Sequence, residues 1–203
     1  ELTRRKQISN TAKFTYNRVD STAQVFQVSL SGSFNKTPGN RSVKAITDGW
    51  DCYTAMSTER GRGNSPVADL YYFRQITPRQ SITANAVGTY IFTKSYNYYD
   101  EGTAIINNVS GRSGSVLSEV IYENKLKPFT PSSGVNYRFK HTKNDYTGTA
   151  PAQTQMTNSA VYGFAEIKGR HKDLNYSLGA GGSYIHYRQS GHNYDYWTFC
   201  PKT

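Results

Sequence analysis

Apolar and polar residues alternate without interruption from Phe26 to Asn35. The residues at every second position are apolar or glycine: Phe26, Val28, Leu30, Gly32 and Phe34. The residues between them are all polar: Gln27, Ser29, Ser31, Ser33 and Asn35. Side chains of an extended strand point alternately to two sides, whereas a helix would scatter this set around its axis. The alternation predicts a β-strand that has one apolar face and one polar face.

Two further strands with a turn between them are predicted from Asn158 to Tyr187. A polar cluster at Gly169–Asp173 separates two arms, and each arm has about the ten residues that a tilted transmembrane strand needs. Weaker alternation predicts other strands along the chain. The segment Ser115–Leu126 also suits a short helix, but its β-branched residues favour a strand. These patterns predict an all-β fold: an antiparallel up-and-down meander of about eight or nine strands, forming a single domain over residues 1–203.

Composition and charge narrow the class of protein. Only 36% of the residues are hydrophobic, yet 14% are aromatic and 17 are tyrosines, which favours strands over helices. The net charge of +10 suits nucleic acid, an anionic membrane surface, or simply polar loops and turns rich in Lys and Arg. Arg4-Arg5-Lys6 is the single cationic run, so nucleic-acid binding is not expected. No stretch approaches 18 apolar residues, so no membrane helix is predicted. The residues from Glu1 onward do not resemble a signal peptide.

Short and long connections alternate along the chain. Short turns are predicted at Arg18–Thr22, Thr77–Gln80, Asn124–Pro128 and Gly169–Asp173. Long irregular loops are predicted between them, at about residues 36–66, 100–114 and 145–155, with a further connection at Ser190–Asn193. Alternate connections of a meander lie at opposite ends, so the loops gather at one end, as they do in outer-membrane barrels. Tyrosines near the strand ends suit interfacial girdles or ordinary cross-strand pairing, and both interpretations stay open.

Three segments carry a resemblance to a known family: Ser115–Asn124 (SVLSEVIYEN), Tyr176–Ser183 (YSLGAGGS) and Tyr196–Lys202 (YWTFCPK). They resemble outer-membrane β-barrel proteins related to TonB-dependent receptors of the Bacteroides type. The resemblance implies a complete barrel of about 22 strands with an N-terminal plug, which takes up a nutrient or metal chelate. This chain has room for fewer strands and no plug. It is therefore expected to be an internal fragment, an open excerpt from a transmembrane β-barrel, and transport is not carried over to it.

The predicted function follows from that resemblance. The chain is expected to be a segment of an outer-membrane transporter or receptor, in contact with outer-membrane lipid, whose loops form the extracellular face for a small nutrient or chelate ligand. Trp50, Tyr53, Arg60 and Arg62 are the ligand candidates, because aromatic and Arg side chains dominate recognition surfaces. The alternative is a soluble secreted β-sandwich or adhesin-like binding module. Unpaired edge strands predict edge-to-edge self-association of the fragment.

Neither an enzyme nor a cofactor site is predicted. The four histidines share no ligand spacing with each other, with cysteine or with carboxylates, so no metal site is expected. A Gly-x-Ser-x-Gly motif is absent. Glu119 and Glu123 share a face of a strand and form a conceivable glycosidase pair, although ordinary surface carboxylates explain them better. Cys52 and Cys200 have no recognisable spacing; free thiols are favoured, and a disulfide stays an alternative.

Overall fold

The computed structural model describes residues 6–19, 22–48, 51–100, 103–171 and 174–202. This part of the chain contains nine β-strands and no helix that is long and apolar enough to cross a membrane. The strands are β1 (Lys6–Val19), β2 (Ala23–Asp48), β3 (Asp51–Thr77), β4 (Gln80–Asp100), β5 (Ala104–Asn124), β6 (Phe129–Gly148), β7 (Ala152–His171), β8 (Leu174–Gln189) and β9 (His192–Lys202). The predicted all-β meander of eight or nine strands is confirmed, and the ambiguous segment at Ser115–Leu126 is a strand as far as Asn124.

Every strand pairs antiparallel with the next, so the sheet order is the sequence order from β1 to β9. The sheet is open, with β1 and β9 as its edges among the described residues. We call the end with the connections β2–β3, β4–β5, β6–β7 and β8–β9 the upper end. The end with the other four connections is the lower end.

The prediction that three long segments are irregular loops was wrong, because most of their residues are in β-strands. Residues 36–66, 100–114 and 145–155 belong mostly to the paired strands of long hairpins at the upper end, with residues 149–151 as a remaining connection. A backbone ladder satisfies its own hydrogen bonds and needs no apolar face, so strands continue where alternation disappears. The Pro38-Gly39 pair, which indicates a turn in sequence, lies at a register shift between Thr37 and Asn40, a β-bulge position that tolerates proline.

The register places apolar side chains together on one face, because directly paired residues of antiparallel strands point to the same side. The central row of paired residues on this apolar face is Phe14, Val28, Leu70, Ala86, Ser118, Tyr137, Val161, Tyr184 and Trp197. Two positions lower, the row is Tyr16, Phe26, Tyr72, Ala84, Val120, Val135, Gly163, Gly182 and Phe199. Both rows are almost entirely apolar.

The intervening rows form the polar face. The row directly below the central one is Thr15, Gln27, Tyr71, Asn85, Glu119, Asn136, Tyr162, Ser183 and Thr198. Towards the upper end, hydroxyl groups of adjacent strands bond to each other on this face: Ser33 to Ser65 at 2.6 Å, Thr89 to Ser115 at 2.5 Å and Ser113 to Thr142 at 3.0 Å. The upper half of this face is therefore mainly polar. Its lower part is mixed, since the row two positions below Thr15 includes Val25, Phe73, Ile121 and Phe164.

No second layer covers the apolar face. Trp197 is 80% exposed, Phe199 72% and Phe14 61%, and none of the described side chains is completely buried. Contiguous exposed apolar surface on this scale is unfavourable in water, and it marks a face that contacts a partner or a membrane.

The backbone of this sheet places the two cysteines far apart. Cys200 is a free thiol, and its row of paired residues runs through Gly181 and Gly134 to Phe73 in β3. Cys52 lies on β3 much nearer the upper end, roughly 70 Å along the strand from Phe73 at about 3.4 Å per residue. A disulfide requires Cα atoms within about 7 Å of each other.

Two glycines on neighbouring strands should differ in their tolerance of a methyl group. A Cβ at Gly134 would lie 2.9 Å from the Val120 carbonyl oxygen and 2.7 Å from the Phe164 ring, whereas a Cβ at Gly163 would meet no atom within 4 Å. Gly134→Ala should lower the free energy of unfolding by about 1–3 kcal/mol through overpacking. Urea unfolding followed by tryptophan fluorescence measures it. The matched control Gly163→Ala should change the midpoint little, and an equal loss in both variants would contradict the packing.

Candidate functional site

The apolar face carries a band of limited height, which we call the apolar band. On β1, β2, β3 and β4 the band covers Ile8–Tyr16, Phe26–Phe34, Asn64–Tyr72 and Ala84–Phe92, within which every residue on the apolar face is uncharged. Each segment spans about nine residues, close to the 9–11 residues of a tilted strand that crosses a bilayer. On the same face, Lys6 and Arg18 flank the segment of β1, and Arg62 and Arg74 flank that of β3.

The apolar band moves towards the lower end on later strands. On β8 it runs from Leu174 to Tyr184, and Tyr184 already belongs to the central row. On β1 the band instead extends six positions above that row, to Ile8. A plane parallel to a membrane cuts successive tilted strands at positions that shift steadily relative to their pairing. A shift of this kind is therefore expected of strands inclined by about 35–45° to a membrane normal.

A cation marks the upper edge of the band on each of the first six strands. We call this set the cationic rim; its members, all on the apolar face, are Lys6, Lys36, Arg62, Lys94, Arg112 and Lys143. The first four are direct cross-strand partners: Lys6 pairs with Lys36, Lys36 with Arg62, and Arg62 with Lys94. Like charges directly opposite each other on neighbouring strands are destabilising. Among the described side chains, no carboxylate forms an ion pair with these four.

A groove of about 530 Å³ opens at the rim, and Lys36, Arg60, Arg62, Lys94 and Tyr96 contribute to its lining. The guanidinium carbon of Arg60 lies 4.4 Å from the centre of the Tyr96 ring. The Phe92 ring, at the top of the apolar band, has the Lys94 ammonium 5.7 Å and the Arg62 guanidinium 6.0 Å from its centre. These cation–π contacts hold the positive charges at the boundary between apolar and polar surface.

Asp145 lines the far side of the groove. A hydrogen bond from the Gln153 amide lowers the pKa of Asp145, and the positive charges of Lys143 and Arg112 lower it further. The carboxylate is therefore ionised at neutral pH, and it contacts Lys143 at 3.7 Å. The four cations Lys36, Arg60, Arg62 and Lys94 outnumber it, so the groove is electropositive.

The four ligand candidates have different positions. Arg60 and Arg62 lie two residues apart on one face of β3 and share the groove. Tyr53 also belongs to β3, about 24 Å further towards the upper end at 3.4 Å per residue, while Trp50 lies outside the described residues. A ligand role for these residues stays a prediction. Lys36 and Lys94 were not among the predicted ligand residues, because only the strand register places them beside Arg62.

The carboxylates and histidines do not form a site for catalysis or metal binding among the described residues. Glu119 and Glu123 share the polar face of β5, but they are about 14 Å apart along the strand, beyond the roughly 5–9.5 Å of a glycosidase pair. Within the described residues, no three His, Cys, Asp or Glu side chains are grouped so that they could hold a metal ion.

The chain was compared with protein families, curated proteins and solved structures. No protein-family model matches the chain. No curated protein matches it in sequence. The crystal structure of the ferric citrate transporter FecA in its unliganded form aligns with 97% of this chain, with 16% identity and a TM-score of 0.48. The chain spans 40% of the length of that structure. Similarity this low shows neither a shared family nor a shared function.

The Gln153 amide should control the ionisation of Asp145. Removing it in Gln153→Ala should raise the pKa of Asp145 towards its ordinary value of 3.8, because the hydrogen bond stabilises the charged form. In the unsubstituted chain the ionised Asp145 adds to the free energy of unfolding above pH 3.8. This contribution is lost as the pH falls through the lower pKa of Asp145 in the folded state. Carboxyl chemical shifts in a ¹³C NMR titration measure the change. The matched control is Gln155→Ala on the same strand; an equal pKa in both variants would contradict the assignment.

Proposed function

We propose that this chain is a segment of an outer-membrane β-barrel of the transporter or receptor type. The apolar band faces lipid, and the polar face lines the barrel interior. The long upper hairpins form the extracellular ligand face, and the parent protein is located in the bacterial outer membrane. The observation that carries this proposal is the register, which places an apolar band about nine residues tall on one face and mainly hydroxyl and amide side chains on the upper half of the other.

The alternative, a soluble β-sandwich, is less well supported. A sandwich packs the apolar faces of two sheets against each other at about 10 Å. The described residues instead form one sheet, and Phe14 and Trp197 on its apolar face are exposed. The drift of the band across the strands is also a property of a barrel wall, because strands tilt when a sheet closes into a barrel.

The polar face suits a hydrated interior. Its upper half is lined mainly by hydroxyl and amide groups, and Lys13, Asp69, Glu119 and Arg138 add charges near mid-height. Such a surface supports the passage or binding of a small polar solute, such as a nutrient or chelate. The edge strands β1 and β9 would pair with further strands of the parent barrel. In the chain alone they would pair edge to edge with another copy.

Tryptophan quenching tests which face contacts lipid. In a Trp50→Phe background, Trp197 is the single tryptophan, and it lies in the central row of the apolar face. In bilayers of brominated phosphatidylcholine its fluorescence should fall strongly compared with unbrominated bilayers, because bromine quenches only on contact. The matched control combines Trp197→Phe with Thr198→Trp, which moves the indole to the polar face, where little quenching is expected.

Two outcomes would contradict the proposed function. Equal quenching at both positions would show that the two faces do not differ in lipid contact. Recovery of the full-length parent protein in the aqueous fraction of the cell would exclude a membrane barrel and would favour the soluble binding module.

A further inference from the structure

An apolar furrow lies directly below the cationic rim. It has a volume of about 590 Å³, and its lining includes Leu30, Pro66, Gly88, Tyr90, Gly114 and Phe139. The furrow extends from β2 to β6, the same strands that contribute five of the six rim cations. Tyr90 precedes Lys94 by four residues on the same face, so about 14 Å along the strand separates the furrow from the rim. The two features form one continuous surface, charged above and apolar below.

Two glycines, which have no Cβ, shape the furrow. A Cβ at Gly88 would meet no atom within 4 Å, and a Cβ at Gly114 would touch only the edge of the Tyr90 ring at 3.8 Å. Space therefore exists above the backbone at these positions. In a bilayer it must be filled by hydrocarbon, because a void along an apolar surface forfeits dispersion contacts.

The rim requires a counter-anion. Lys36, Arg62 and Lys94 are adjacent in one row, exposed, and without a carboxylate partner among the described residues. Clusters of Lys and Arg at a membrane surface attract anionic headgroups, and Arg matches phosphate with paired hydrogen bonds. The lower edge differs: Arg18 and Arg74 are its cations on β1 and β3, but they are separated by Gln24 on β2, and the β4 residue paired with Arg74 is Ile82.

We propose that the rim and furrow form a binding site for an anionic lipid with a phosphorylated headgroup, in the leaflet at the upper end. The rim cations bind the phosphate, and an acyl chain lies along the furrow beside Gly88 and Gly114. This proposal rests on the proposed function, because it requires the apolar face to contact a membrane. It assigns Arg62 to lipid binding on the outer surface of the wall.

Charge substitutions at the rim test the headgroup contact. The probe is diphosphorylated lipid A added to the full chain in zwitterionic micelles, and native mass spectrometry counts the retained lipid. The triple variant Lys36→Gln, Arg62→Gln, Lys94→Gln should lose at least about tenfold in retention, because each basic residue near an anionic surface contributes measurably. The control triple variant Arg79→Gln, Lys125→Gln, Lys127→Gln removes the same charge at the lower turns and should retain the lipid.

Filling the furrow tests the acyl contact. Gly88→Leu should reduce retention of lipid A severalfold, while Gly163→Leu, another apolar-face glycine with open space, should not. Retention should also fall with added salt, since the headgroup contact is electrostatic. If the triple rim variant does not fold, the salt dependence of lipid A retention by the unsubstituted chain tests the headgroup contact instead.

Several results would overturn the lipid site. Equal loss in the rim and lower-turn variants would show a general charge effect. Full competition by inorganic phosphate or by the deacylated headgroup would show a plain anion site. A second copy of the chain covering the furrow in place of lipid would also reject it. If Trp197 is quenched by brominated lipid but the rim variant keeps its lipid A, only the lipid site fails; if Trp197 is not quenched, the proposed function fails.

Discussion

An antiparallel register that is kept through the apolar band of nine strands is the constraint on which the structure depends. Side chains alternate with a period of two, so a slip of one residue between two strands would exchange their faces. The register shifts between Thr37 and Asn40 and between Gln75 and Thr77 lie just beyond the apolar band, above Lys36 and below Arg74. Within the band of these strands the alternation is kept, and each contributes to the same apolar surface.

The height of the apolar band, the inclination of its strands and the row of cations at its upper edge follow from that register. Once the faces are aligned, about nine residues of each early strand form the band, as expected for strands that cross a bilayer at an angle. The same pairing brings Lys6, Lys36, Arg62 and Lys94 together at an energetic cost in water. That cost is offset where phosphate groups lie at the boundary. The arrangement that is unfavourable for a soluble sheet is therefore favourable for a membrane wall.

The sequence predicted the strands where one face is apolar, as at Phe26–Asn35, because only there does polarity alternate. It failed for residues 36–66, where β2 and β3 continue as a ladder with polar residues on both sides and the glycines and Pro38 suggest a loop. The cationic rim could not be recognised from sequence spacing, since Lys36 and Lys94 become neighbours of Arg62 only through pairing. Arg60 and Arg62 were selected as recognition residues, and the register shows that they lie on the apolar-face side.

The most direct test of the central claim is the accessibility of spin labels along β2 in a bilayer. Single cysteines replace residues 25–35 in a Cys52→Ser, Cys200→Ser background, and oxygen and a water-soluble nickel chelate serve as relaxing agents. We expect collisions with oxygen to peak at Phe26, Val28, Leu30, Gly32 and Phe34, and collisions with the nickel chelate to peak at the residues between them. Two profiles that rise and fall together, or that show no period of two, would contradict the account.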